Sequence, residues 1–117
     1  MDINKRRLCL VIKDYIPSYP DPLIISKEER LKISDKKSEW DGWVWCMNTS
    51  GKSGWVPLNF VEVKDSECIA LQDYDSGELG VKAGQGLMVT KEESGWVLCV
   101  NDKGGSGWVP KENIELL

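Results

Sequence analysis

Ser53-Gly54-Trp55-Val56-Pro57 recurs as Ser106-Gly107-Trp108-Val109-Pro110, and this repeated block organises the chain. Two further blocks recur in the same order ahead of it. The first pair is Cys9–Tyr15 (CLVIKDY) with Cys68–Tyr74 (CIALQDY), and the second is Gly42–Cys46 (GWVWC) with Gly95–Cys99 (GWVLC). Three blocks that recur in one order indicate an internal duplication.

The duplication predicts two domains, residues 1–63 and residues 64–117, with the polar segment Lys64–Glu67 as a very short linker. The offset between the copies falls from 59 at the first block to 53 at the last. Insertions of this kind belong in loops. We place them in Ile16–Pro22 and Asp35–Asp41, so the first copy has the longer loops.

Short strands separated by turn residues fill each copy, and no helical period of adequate length appears. Leu8–Lys13, Arg30–Asp35 and Trp43–Asn48 are predicted strands. Asn48–Gly51 and Asn101–Gly104 are predicted hairpin turns, because Asn, Asp and Gly tolerate positive φ. Five short strands must close on themselves to hide their edges. The fold class is therefore all-β, with two small five-stranded barrels in tandem.

Composition argues against several classes of protein. The 117 residues carry 15 Lys and Arg against 19 Asp and Glu, for a net charge of −4, which disfavours nucleic-acid binding. Residues 1–63 hold 10 basic and 9 acidic side chains, whereas residues 64–117 hold 5 and 10. No apolar run is long enough for a membrane span or a signal peptide, so we expect a cytoplasmic protein.

The chain contains no histidine, no Gly-rich phosphate loop and no metal-spaced cluster, so we expect neither an enzyme nor a cofactor. Its four cysteines, Cys9, Cys46, Cys68 and Cys99, occur at matching positions of the two copies. Free cysteine is usually a small buried apolar residue. We predict that all four are reduced and lie in the cores.

The three blocks, in order, resemble the Src-homology-3 family in a variant form. Ala70–Tyr74 (ALQDY) is similar to the family's Ala-Leu-Tyr-Asp-Tyr opening, and Val11–Tyr15 is a looser copy. Gly42-Trp43 and Gly95-Trp96 resemble its tryptophan-bearing strand, and Gly54–Phe60 (GWVPLNF) resembles its closing segment. The resemblance implies barrels that bind proline-rich peptides, whose polyproline II helix is already ordered, in a shallow aromatic groove.

Carried over by position, the resemblance predicts a groove in each copy. In the first copy the groove residues are Tyr15, Trp43, Pro57, Asn59 and Phe60. In the second copy they are Tyr74, Trp96 and Pro110. Lys13, Gln72, Glu112 and Asn113 depart from the family pattern, so the groove of the second copy is degraded and the first copy is the better candidate.

Acidic residues of the family's RT loop pair with a basic residue that flanks the ligand. Asp21 in the first copy and Asp75 and Glu78 in the second are the candidates. Trp40, a large aromatic in a polar loop, is a further candidate ligand-binding residue. Trp55 and Trp108 are predicted to be partly exposed packing residues on the face opposite the core.

The sequence therefore predicts a non-enzymatic adaptor that binds a protein or a proline-rich peptide. A second interpretation stays open, namely a structural or assembly subunit that binds a folded surface or self-associates through exposed tryptophans. Contact between the two barrels also stays open.

Overall fold

The computed structural model describes residues 7–17, 21–34 and 41–117. Over these ranges the chain forms short β-strands and two 3₁₀-helical turns. The strands are β1 (Arg7–Val11), β2 (Ile24–Ile25), β3 (Arg30–Ser34), β4 (Trp43–Met47), β5 (Ser53–Pro57), β6 (Val61–Lys64), β7 (Glu67–Ala70), β8 (Tyr74–Asp75), β9 (Gly86–Glu93), β10 (Trp96–Val100), β11 (Ser106–Pro110) and β12 (Ile114–Leu116). The helical turns are Leu58–Phe60 and Lys111–Asn113. The all-β prediction is confirmed, and no helix in the described ranges could cross a membrane.

Two compact units make up the structure. The terminal unit combines Met1–Pro20 with Glu78–Leu117, and the central unit is Asp21–Gly77. The sheet of the terminal unit has the strand order β11-β10-β9-β1-β12. The sheet of the central unit has the order β5-β4-β3-β7-β6, which is the same order in equivalent strands. The two five-stranded barrels predicted from the repeats are therefore present.

The opening strands are exchanged between the repeats. Strand β1 comes from the first repeat, yet it pairs with β9 and β12 of the second, with Cys9 opposite Leu87 and Leu116. Strand β7 comes from the second repeat and pairs with β3 and β6 of the first. The units thus divide the chain differently from the predicted domains 1–63 and 64–117, because each unit contains strands from both repeats.

The segment between the repeats explains the exchange. Lys64–Glu67 was predicted to be a linker, but Lys64 and Glu67 face each other as the last pair of the β6–β7 ladder. Asp65 and Ser66 form the turn of this hairpin, with Asp65 at a φ of 59°. Two residues span at most about 7 Å, so they cannot carry β7 away from β6. Strand β7 therefore occupies the place beside β6, and β1 takes the equivalent place beside β12.

The residues after each opening strand are exchanged with it. In the central unit Tyr74 and Asp75 pair with Ile25 and Ile24 as a two-stranded ribbon. In the terminal unit Tyr15 forms the matching bridge with Val81, with backbone N–H···O distances of 2.9 and 3.0 Å. Each unit thus contains the first arm of the RT loop of one repeat, paired with the second arm of the RT loop of the other repeat.

The two cores are built from the inward-facing residues of these strands. In the terminal unit the core contains Cys9, Val11, Val81, Leu87, Val89, Val97, Cys99, Val109 and Ile114. In the central unit the buried hydrophobic residues are Leu23, Ile25, Leu31, Cys46, Val56, Phe60, Val61, Cys68, Ala70 and Tyr74. The prediction that all four cysteines are free and buried is confirmed.

Both predicted asparagine turns are present. The Oδ1 of Asn48 accepts the N–H groups of Ser50 and Lys52, each at 3.0 Å. The Oδ1 of Asn101 accepts those of Lys103 at 3.0 Å and Gly105 at 2.8 Å. The asparagine side chains therefore close the hairpins β4–β5 and β10–β11 in the same way.

Candidate functional site

Three tryptophans lie side by side on β4 and β5 of the central unit. Trp43 and Trp45 alternate to the same side of β4, and Trp45 is opposite Trp55. The rings of Trp45 and Trp55 meet edge to face, with centroids 4.9 Å apart and an interplanar angle of 69°. All three indoles are half-buried, so each keeps surface for a partner. We call Trp43, Trp45 and Trp55 the tryptophan face.

Two buried aromatic rings support this face. Tyr74 donates its hydroxyl to the carbonyl of Trp55 at 2.9 Å. Phe60 and Tyr74 pack edge to face with centroids 5.4 Å apart, and both are buried. Tyr74 comes from the second repeat, so the exchange of strands brings it to the tryptophans of the first. Its role here is to fix the backbone under Trp55.

The two prolines of the repeated block lie opposite Trp43 and Trp96, the tryptophans that begin β4 and β10. Pro57 pairs with Trp43, and Pro110 pairs with Trp96. Both prolines are buried. They therefore hold the strand end beside the indole and offer little surface of their own to a ligand.

Polar candidates of the central unit are exposed. Asp21 pairs with Lys52 at 3.0 Å, and both side chains are largely in solvent. Asp75 accepts the N–H of Gly77 at 2.8 Å, and Asn59 lies exposed in the first 3₁₀ turn. An exposed pair of this kind is weak and can exchange partners. Both carboxylates can therefore interact with a basic ligand.

The terminal unit brings together Tyr15, Glu78 and Trp96. The Tyr15 hydroxyl donates to Glu78 Oε1 at 2.6 Å. The Tyr15 and Trp96 rings meet edge to face with centroids 5.8 Å apart. All three residues are half-buried. The carboxylate predicted to receive a ligand cation thus already accepts a hydrogen bond from this tyrosine.

Asn113 has a role that sequence reasoning missed. It stands where the family has a groove tyrosine, and it is the one buried polar residue among those described. Its Nδ2 donates to the carbonyls of Lys13 at 3.2 Å and Asp14 at 3.0 Å. Its backbone oxygen accepts the N–H of Ile12 at 2.8 Å. Asn113 therefore fastens the exchanged opening segment to the terminal unit.

The predicted site residues are distributed differently from the sequence expectation. Tyr15 was grouped with Trp43, but the two belong to different units. Trp43, Pro57, Asn59 and Phe60 share the central unit with Tyr74 and Asp75 instead. Trp40 lies outside the described residues. Trp55 is half-buried as expected, whereas Trp108 is buried, with only 3% of its surface exposed.

Cysteine chemistry is suppressed in both units. The sulfurs of Cys46 and Cys68 lie 3.8 Å apart, and burial raises the pKa of both thiols. Burial likewise raises the pKa of Cys99 to about 12, with the neighbouring Cys9 as a further cause. Thiols of this kind stay protonated and unreactive near neutral pH. In the described part of the chain no group of His, Cys, Asp and Glu side chains could hold a metal ion.

The exchange redistributes charge between the units. The central unit carries seven Lys and Arg against eleven Asp and Glu, a net charge of −4. The terminal unit carries eight of each, a net charge of zero. These counts add to the 15 and 19 of the whole chain. The tryptophan face therefore belongs to an acidic unit.

Comparisons with known proteins agree with the two sequence repeats. The chain is 26% identical over 102 residues to an SH3 and F-BAR domain-containing protein of Dictyostelium discoideum. The match covers 75% of this chain and 19% of that protein, so the chain spans about a fifth of its relative. The family model described as variant SH3 domain matches residues 8–64 and again residues 68–117. The chain belongs to the variant SH3 domain family, of which it contains two copies.

Proposed function

We propose that the chain is a non-enzymatic protein-binding module, and that its central unit binds an extended, proline-containing segment with a basic flank. The observation that carries the proposal is the tryptophan face, with three half-buried indoles on two neighbouring strands of an acidic unit. SH3 domains are in general protein-interaction modules, which supports the class of function.

The shape and chemistry of the tryptophan face suit a polyproline II helix. Flat indole rings make ridges that fit between prolines, and an indole N–H can donate to a ligand carbonyl. Trp43 and Trp55 occupy diagonal positions across the β4–β5 ladder. Diagonal neighbours in a sheet lie about 7–8 Å apart, which leaves a furrow between large side chains. The ligand is already ordered, so docking costs little conformational entropy.

The charge of the central unit favours a basic flank on the ligand. Its net charge is −4, and Asp21 and Asp75 are exposed. Carboxylates at the rim of an interface mainly raise the association rate and set the direction of the ligand. A ligand with Arg or Lys beside its prolines should therefore bind more tightly than one with Glu there.

An NMR titration tests this proposal. Isotope-labelled protein is mixed with proline-rich peptides that carry a flanking Arg, and the six indole N–H signals are followed individually. We expect the signals of Trp43, Trp45 and Trp55 to shift. A peptide with Glu in place of Arg is the ligand control, and we expect it to bind at least several-fold more weakly.

Two equivalent tryptophans provide matched variants. Trp43 begins β4 and Trp96 begins β10, which are the first strands of equivalent hairpins, and each tryptophan lies opposite a buried proline. We expect Trp43→Ala to lose at least about tenfold in affinity, as for a tryptophan hot spot, and Trp96→Ala to bind normally. Binding that survives Trp43→Ala, or shifts centred on Trp96, would show that the central unit is not the site.

A further inference from the structure

The outer face of the terminal sheet is apolar where the equivalent face of the central sheet is charged. One row of side chains crosses three strands of the terminal unit and ends just beyond β12: Val100, Met88, Leu8 and Leu117. The equivalent row of the central unit is Met47, Lys32, Glu67 and Lys64. Three charged positions of one unit are therefore apolar in the other.

Further exposed apolar residues extend this surface along β1 and just beyond it. Cys9 and Val11 point into the core, so Leu8 and Leu10 of β1 point outward, and the exposed Ile12 follows directly after the strand. Their exposed fractions are 57%, 36% and 52%, and that of Leu117 is 70%. We call Leu8, Leu10, Ile12, Met88, Val100 and Leu117 the apolar face. A contiguous apolar patch on a small soluble domain marks an interaction surface.

Charged neighbours distinguish the two outer faces further. In the central unit Arg30 pairs with Glu67 at 3.9 Å and lies beside Ile69. In the terminal unit Gly86 replaces that arginine and lies beside Leu10. Apart from Gly86 and its two chain neighbours, no atom of the described residues lies within 4 Å of the position where a Cβ would be at Gly86. The apolar face therefore has no side chain at Gly86, next to Leu10, and the exposed Glu115 lies on the other side of Leu10.

We propose that the apolar face is a contact between two copies of this chain, related by a two-fold axis. In an isologous contact both copies use the same patch, so the uncharged row of one copy lies against the uncharged row of the other. The terminal unit has zero net charge, and a unit of this kind does not repel its copy. The central unit, at −4, does repel its copy. A strongly charged partner would find no counter-charge in the row itself.

The extent of the apolar face sets the strength of the contact. Leu8, Leu10, Ile12 and Leu117 together expose the equivalent of about two complete side chains on each copy. A standard stable interface buries about 800 Å² per partner and involves about 20 residues on each side. The apolar face is smaller, so the dimer is weaker than a standard stable dimer and its formation depends on the protein concentration. It is separate from the tryptophan face, so it does not rest on the peptide-binding proposal.

Sedimentation equilibrium over a range of protein concentrations tests the dimer. We expect the average mass of the whole chain to rise from monomer toward dimer, with no weakening at high salt. The decisive variant replaces three residues of the apolar face by the charged residue types found at the equivalent positions of the central unit: Leu8→Glu, Met88→Lys and Leu117→Lys. We expect this variant to stay monomeric at every concentration while its circular dichroism spectrum remains that of the parent protein.

Two further variants keep the test independent of folding. Leu117→Lys alone changes an exposed residue just beyond β12, and we expect it to weaken association several-fold. Ile24→Lys removes an apolar side chain that is 62% exposed in the central unit, and we expect it to associate normally. A parent chain that stays monomeric overturns the proposal. Equal loss of association in the Ile24 and Leu117 variants overturns it as well.

Discussion

Replacing Asn113 with alanine should destabilise the protein by an amount that the structure defines. Asn113 is buried, and its side chain donates hydrogen bonds of 3.2 and 3.0 Å to the carbonyls of Lys13 and Asp14. Each such bond contributes about 0.5–1.5 kcal/mol net, so the pair contributes about 1–3 kcal/mol. A loss of about 2 kcal/mol lowers the folding equilibrium constant roughly 30-fold. This is a large part of the total stability of a small domain.

Urea unfolding followed by tryptophan fluorescence measures this loss. With a slope of about 2 kcal/mol per molar urea, the midpoint of the Asn113→Ala variant should fall by about 1 M. The matched control is Glu112→Ala, because the neighbouring Glu112 makes only an exposed ion pair with Lys13 at 3.7 Å. We expect the control to change stability by less than about 0.5 kcal/mol. Similar midpoints for the two variants would refute the proposed fastening role of Asn113.

Three further predictions follow from the strand pairing and the cores. The α protons of Cys9 and Leu116 should give a nuclear Overhauser contact, whereas a contact between Cys9 and Val63 would show that each repeat pairs with itself. Gly107→Ala should cost about 1–3 kcal/mol in urea unfolding, because its Cβ would lie 2.7 Å from the backbone nitrogen of Leu79. Gly86→Ala meets open space and should cost nothing comparable. Above about pH 9 the free energy of unfolding should fall, because unfolded thiols ionise while folded Cys99 keeps its proton to about pH 12. Unfolding curves measured at several pH values give the slope of the unfolding free energy against pH. We expect this slope to differ between the parent and Cys99→Val by at most about 1.4 kcal/mol per pH unit. An equal slope for both would rule out a contribution from this thiol.

Local chemistry made the strands and turns predictable from the sequence. Alternation of apolar residues defines β1 and β4 within a residue or two of the observed bounds. Asn48 and Asn101 carry the turn chemistry in their own side chains, so their hairpins needed no tertiary information. The buried cysteines follow from the same alternation, with Cys9 and Cys99 on the inward side of their strands.

The pairing of strands could not be predicted from local pattern. Strands β1 and β7 share the cysteine and the alternation of buried and outward-facing residues, so the inward side of either strand suits either core. The choice between them depends on whether Lys64–Glu67 is a linker or a hairpin. Polar composition is compatible with both, whereas the positive φ of Asp65 and the Lys64–Glu67 pair are properties of the folded chain.

The predicted site was limited by the same ambiguity. Matching the family pattern repeat by repeat grouped Tyr15 with Trp43, and the exchange placed Tyr74 in the unit of Trp43 instead. The departures from the pattern were visible in the sequence, but their consequences were not. Asn113 was identified only as a departure that degrades the groove of the second copy, yet its amide donates to carbonyls about a hundred residues away in the chain.

The exchange of strands also changes which acidic residues share a folded unit with which tryptophans. By repeat, residues 1–63 are slightly basic and residues 64–117 strongly acidic, which suggests that the second repeat would prefer a basic ligand. By folded unit, the unit that carries the tryptophan face has a net charge of −4, and the terminal unit is neutral. Electrostatic attraction acts between folded surfaces, so a ligand responds to the net charge of the folded unit and not to that of the sequence repeat. In the proposed binding mode, a ligand that needs both aromatic surface and acidic charge would therefore find the three tryptophans of the first repeat and acidic residues of the second repeat in one unit.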